Sequence, residues 1–75
     1  MEEKLRKFFE AEVNFTTASL SKESNFIERN NICWYAKQRG FGAVQFAQMC
    51  GMNFQNAERM YEEYKIKLEV LEDEM

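Results

Sequence analysis

The first candidates for reaction chemistry in this chain are two thiols, Cys33 and Cys50, the hydroxyls of Ser19, Ser21 and Ser24, and its carboxylates. None of these has an evident activating neighbour. The chain contains no histidine, which removes the commonest general base and the commonest metal ligand together. A serine or cysteine nucleophile needs a base beside it, and the sequence offers none. The two cysteines lie seventeen residues apart, with no further soft ligands to complete a zinc site. Gly40-Phe41-Gly42 lacks the preceding strand and the following lysine of a phosphate-binding loop. The carboxylates fall at spacings suited to solvated helix faces. The expectation is therefore no enzyme, no cofactor and no metal, with both cysteines reduced and buried as small hydrophobes.

The elements that would carry a binding function are helices. From Phe54 the apolar residues recur at Phe54, Ala57, Tyr61, Tyr64, Leu68, Leu71 and Met75, steps of three and four that mark one face of a long helix. Asn53 suits its N-cap, because the side-chain oxygen can accept a hydrogen bond from a free N–H of the first turn. Opposite charges at helical spacing, Arg59 with Glu63, Glu63 with Lys67 and Lys65 with Glu69, support it further. Upstream, Leu5, Phe8, Phe9 and Val13 predict a first helix over Glu3–Val13 ended by Asn14. The hydroxyl-rich and β-branched stretch from Asn14 to Ser21 reads as a loop, pinned by Phe15 and Leu20. A second helix is expected from Lys22 or Glu23 to Gln38, capped by Gly40. Its apolar residues cover a wide arc, with Asn30 and Lys37 near the middle. A short third helix, Ala43–Cys50, would be closed by Gly51. The fourth helix is then Phe54–Leu71, with 72–75 a frayed tail.

Composition sets the limits on these elements. At 75 residues and 45% apolar content the chain is a single folded domain, residues 1–75, with a small core. A domain of this size buries only about 60% of its unfolded surface, so a partner would help it. The net charge is −3, unevenly spread. Residues 1–40 hold seven basic and six acidic side chains, whereas residues 41–75 hold three and seven. Such a balance gives little non-specific attraction to nucleic acid. No apolar run approaches the ~18 residues of a membrane span, and the start, Met1-Glu2-Glu3-Lys4, is unlike a secretory signal. A cytoplasmic location is expected.

One motif bears on function. Ala47, Gly51 and Ala57, with Phe46, Cys50, Met52 and Met60 at the accompanying apolar positions, resemble a helix-turn-helix over residues 43–62. A small residue permits close helix crossing and a glycine permits the short turn. The resemblance implies that the fourth helix would read DNA. Asn53, Gln55, Asn56 and Arg59 lie on its first turns, and amides can pair with adenine and arginine with guanine. Lys37, Arg39, Gln45 and Gln48 would contact phosphates. Glu58, Glu62 and Glu63 on the same helix oppose this, since carboxylates are repelled by a phosphate backbone.

Together these residues predict an all-α bundle of four helices with a helix-turn-helix-like unit and a long C-terminal helix. The expected function is a non-catalytic protein-binding module or small adaptor; the alternative is a sequence-specific DNA-binding regulator. The expected partner is another protein or a second copy. Self-association is expected through Tyr64, Leu68 and Leu71, which would project beyond the shorter helices. Phe8, Phe9, Phe46, Ala47, Cys50, Ala57 and Tyr61 are the expected core.

Overall fold

In the computed structural model, which describes residues 1–74, three α-helices follow one another: α1 Glu2–Ser21, α2 Phe26–Met49 and α3 Phe54–Asp73. There is no strand among the described residues. The fold is all-α as expected, but the expected bundle of four helices is corrected to three. The second and third expected helices are one continuous helix. Its 24 residues reach about 36 Å at a rise of about 1.5 Å each.

The reason lies at Gly40, which sits in the interior of α2 rather than at its end. A Cβ built there would lie 2.5 Å from Cε2 of Tyr64 and 3.3 Å from Cε1 of Phe9. Glycine is present because the Tyr64 ring rests against the backbone of α2. The phenol completes the contact by donating a hydrogen bond to the Ala36 carbonyl at 2.8 Å. A residue that favours helix ends is thus used for close helix packing, and the contact outweighs its poor helix propensity of about 1 kcal/mol.

α1 is also longer than its composition suggests. The stretch from Asn14 to Ser21 is helical, not a loop. Thr16 and Leu20 face the core and are buried, and this packing overrides weak intrinsic propensity. Thr17 and Ser21 turn their hydroxyls back to the carbonyls of Val13 and Ala18, the local bonding open to such residues inside a helix. Leu20 is pinned as expected, whereas Phe15 stays exposed with the Arg39 guanidinium 5.4 Å from its ring centroid.

Two turns connect the helices. Lys22 to Asn25 leads into α2, whose N-cap Asn25 accepts a hydrogen bond from the Glu28 N–H. That cap sits three residues beyond the expected start at Lys22. At the second turn Gly51 has φ 95°, and Met52 N–H donates to Ala47 O while Gly51 N–H donates to Gln48 O. This is a Schellman end, in which a glycine in the left-handed region satisfies the last helix carbonyls. Asn53 caps α3 by accepting from the Asn56 N–H, as its side chain predicts. α3 runs to Asp73, past the expected end at Leu71, so 72 and 73 lie within the helix. Met75, last on the apolar seam, lies outside the described residues.

All three helices pack on one another, along the 40 Å dimension of a 40 × 17 × 16 Å molecule. The core joins Leu5 and Phe9 of α1, Ala36, Val44 and Ala47 of α2, and Ala57, Met60, Tyr64 and Leu68 of α3. Phe9 stacks on Tyr64 with centroids 4.5 Å apart. Of the expected core, Phe9, Ala47 and Ala57 are buried, while Phe8 and Tyr61 are half-buried. Phe46 is 61% exposed and Cys50 is exposed. Phe46 lies on the continuous α2 and Cys50 is its C-cap, whereas the inner face of α2 passes through Gly40, Val44 and Ala47.

Candidate interaction surface

The residues expected to contact nucleic acid do not converge on one open basic face. Arg39 pairs with Glu12 of α1, Nη2 to Oε2 at 2.8 Å and Nε to the same oxygen at 2.8 Å. Lys37 is half-buried, and its carbonyl accepts the Tyr61 hydroxyl at 3.2 Å. Gln45 is exposed, whereas Gln48 is half-buried with its Nε2 unpartnered among the described residues. Asn53 uses its side-chain oxygen on the α3 cap, and Asn56 is half-buried. Gln55 and Arg59 are exposed. Arg59 lines a groove between α1 and α3 together with Arg6, Lys67, Glu10 and Glu63, a mixed-charge setting. The turn at residues 50–53 carries the glycine of the helix-turn-helix resemblance, but α3 then stays beside α2. Contacts persist from the turn through Gly40 and Tyr64 to Arg29, whose Nη2 donates to the Glu74 carbonyl at 3.4 Å.

The expected self-association residues are placed differently again. Tyr64 and Leu68 are buried inside the monomer, and Leu71 is half-buried. α1 is long enough to cover the α3 seam, so a second copy could reach Tyr64 and Leu68 only by opening the core. Burial also raises the Tyr64 phenol pKa well above its ordinary value, with the Glu12 carboxylate adding to the effect. The Cys33 thiol is raised as well, mainly by burial and then by Glu72. Cys33 is therefore held as a neutral thiol in the interior, the opposite of an activated nucleophile.

Sequence reasoning missed Arg29. It is buried, and Nη1 donates to the carbonyls of Leu20 at 2.7 Å and Glu23 at 2.9 Å. With the bond to Glu74, its guanidinium lies where α1 and α3 both end, and their last carbonyls carry the negative ends of two helix dipoles. This is a structural clamp. The cue available in the sequence was a lone arginine on the inner arc of α2, in line with Cys33, Ala36 and Gly40.

The largest unexplained feature is the outward face of α2. Ile27, Trp34 and Phe41 recur every seven residues and are exposed, and Met49 continues the row at 85% exposure. Between them Asn31, Gln38 and Gln45 also recur every seven, and all are exposed. At 3.6 residues per turn these positions occupy roughly a third of the helix circumference. From residue 30 to residue 49 the only exposed charge on α2 is Arg39, already held by Glu12. Gly42 lies on the same side, and a Cβ added to it would meet nothing within 4 Å. Tyr35 and Phe46 flank the row, and Phe46 borders an apolar groove of about 300 Å³ with Leu5, Phe8 and Ala43. A helix apolar on every side is ordinarily covered on every side, yet α1 and α3 cover only one side of α2. Monomeric soluble proteins seldom leave a contiguous apolar stripe of this kind open.

Comparison with protein-family models, with curated proteins and with solved structures finds no match for this chain. No helix of the described residues is long and apolar enough to cross a membrane. No group of three or more potential metal-ligating side chains is found among the described residues.

Proposed function

We propose that this protein is a non-catalytic helical interaction module, a small cytoplasmic adaptor whose binding surface is the outer face of α2. The observation that carries this reading is the row Ile27, Trp34, Phe41 and Met49, exposed on a helix with almost no exposed charge. α1 and α3 act as the scaffold: they hold α2 straight through Gly40 and leave one long apolar and amide-bearing stripe open. Such a stripe suits a partner helix laid along it, because anchors at three- and four-residue spacing match another helix's ridges. The unpaired thiols of Cys33 and Cys50 fit a reducing compartment.

The test is position-specific cross-linking in the living cell. A photo-reactive phenylalanine derivative replaces Trp34 or, as the control on the outer face of α3, Ile66. Protein adducts are expected from position 34 and not from position 66. Equal yields from both positions, or none from position 34, would overturn the reading. DNA adducts formed from a probe at Arg59 instead would favour the DNA-reading alternative.

A further inference from the structure

The outer face of α2 carries a second pattern besides its apolarity. Its order reads nearly the same from either end about Gln38. Ile27 and Met49, both apolar, stand eleven residues to either side; Asn31 and Gln45, both amides, stand seven to either side; Trp34 and Gly42 stand four to either side. The pair that breaks the symmetry in size, the largest side chain against no side chain, is the one that lets a bulky group meet open backbone. A helix paired with its own reverse requires each residue to be complementary to the one at the same distance on the other side. These pairs are apolar with apolar, amide with amide, and the bulky Trp34 with the bare backbone of Gly42.

We propose that α2 pairs antiparallel with α2 of a second copy of this chain, about a two-fold axis passing near Gln38. The proposal rests on the interaction-surface reading above and names its occupant. In this arrangement Trp34 lies level with Gly42 of the second copy, and Ile27 with Met49 of the second copy. Asn31 lies level with Gln45 of the second copy. An amide is both donor and acceptor, so Gln38 can meet its own copy without an unpaired group. Charge points the same way. A two-fold interface brings a surface against itself, so any net charge on it is repelled. The outer face of α2 avoids that repulsion between Asn31 and Met49, with its one exposed cation, Arg39, paired inside the monomer. The outer face of α3, bearing Glu62, Glu63 and Glu69, would not. Gly42 gives a further reason. An exposed glycine in mid-helix weakens α2 and serves no contact within the monomer. The Trp34 ring of a second copy, seated over bare backbone at that level, gives it a use. The stripe from Ile27 to Met49 spans about 33 Å at about 1.5 Å per residue, long enough for several turns of contact.

The experiment is sedimentation equilibrium of the whole chain from about 1 µM to about 500 µM, with cross-linking to fix orientation. A dimer mass is expected within this range, and Trp34→Glu is expected to weaken association at least tenfold. Its circular dichroism and melting at low concentration should match the parent, because Trp34 is exposed and is no member of the core. For orientation, Ile27→Cys and Met49→Cys are prepared separately in a Cys50→Ser background and treated with a short bis-maleimide. The mixed sample is expected to cross-link, and Ile27→Cys alone is not. A monomer mass throughout, a dimer indifferent to Trp34→Glu, or cross-linking of Ile27→Cys with itself would each overturn the antiparallel pair. A constant monomer that still gives adducts with a different protein from position 34 would overturn the second copy and leave the interaction surface standing. A monomer with no adducts would remove both.

Discussion

α2 and α3 lie side by side and bury one face each against the same neighbours, yet their remaining faces have opposite characters. α3 carries nine charged residues among its 20, and Gln55, Arg59, Glu62, Glu63 and Lys67 cover its outside. α2 carries four among its 24, of which Arg29 is buried, Lys37 half-buried and Arg39 ion-paired. α3 is an amphipathic surface helix with one stripe in and mostly charge out, Phe54, Ile66 and Val70 being exposed among the charges. α2 packs on one side and leaves a second apolar side exposed. The lesson is that the hydrophobic pattern of a helix counts its neighbours. One stripe goes with one packed side, and α2 carries a second stripe that α1 and α3 leave uncovered.

The strongest way to break this contrast is to attack the shared core from α3. Leu68 is fully buried, so Leu68→Ala should cost about 2–5 kcal/mol, the range for emptying a leucine site. Leu68→Glu should abolish folding rather than alter association alone. Denaturant unfolding followed by circular dichroism measures both. If Leu68→Glu folded normally, α3 would not be packed as described, and the face assignment of both helices would go with it.

That outcome also marks what could be read in the residues beforehand. The seam of α3 was legible in part: Ala57, Tyr64 and Leu68 are buried as its spacing predicts, but Phe54 is exposed and Met60 is buried beside a half-buried Tyr61. Asn53 and Gly51 stand where a cap and a turn require them. The rest was hidden by local signals pointing the wrong way. Gly40 reads as a helix end, and only the Tyr64 ring across the interface explains a glycine there. Asn14 to Ser21 reads as a loop until Thr16 and Leu20 are seen buried. Ending α2 at Gly40 also cut the row Ile27, Trp34, Phe41 into two pieces. A seven-residue repeat cannot be seen across a break placed in its middle. The exposed apolar row was therefore missed for the same reason that three helices were read as four.

The glycines sharpen the contrast between the faces of α2. Gly40→Ala gains up to about 1 kcal/mol in helix propensity, but its Cβ would meet the Tyr64 ring at 2.5 Å. That ring cannot swing away easily, being stacked on Phe9 and hydrogen-bonded to Ala36. Overpacking costs about 1–3 kcal/mol, so the net effect should be a lower urea midpoint. Gly51→Val should also destabilise by at least about 1 kcal/mol, because φ 95° is strained for a β-branched residue. A Gly51→Val variant melting with the parent would remove the Schellman end that orients α3 against α2.

Alkaline titration probes the buried side alone. The Tyr64 phenol and the Cys33 thiol both have folded-state pKa values raised by burial. In the unfolded chain they ionise near 10 and 9, so above these values the unfolded state releases protons that the folded state retains. Stability is therefore whole below about pH 9 and declines as pH rises further. Tyr64→Phe should be less stable near neutrality by about 1 kcal/mol, the worth of one hydrogen bond, and should show a flatter decline above pH 10. Thiol labelling checks the same division: Cys50 should react at once, and Cys33 only as fast as the fold opens.

The smallest effect has the opposite sign. Gly42→Ala places its methyl group in open space, so the isolated helix gains and the monomer should be stabilised by about 0.5–1 kcal/mol. The counterpart to Gly40→Ala is then a substitution of the same chemistry, two residues away, with the reverse outcome. Concentration decides what Gly42 is for. Association stabilises the folded state by mass action, so the parent's melting temperature should rise with protein concentration. If a second α2 comes close at this position, the added methyl group holds it off. The gain of Gly42→Ala seen at 1 µM should then shrink or invert at several hundred micromolar. A gain that stays constant over that range would mean that nothing approaches Gly42, and the two stripes of α2 would have to be explained by a partner that docks elsewhere along the Trp34 row.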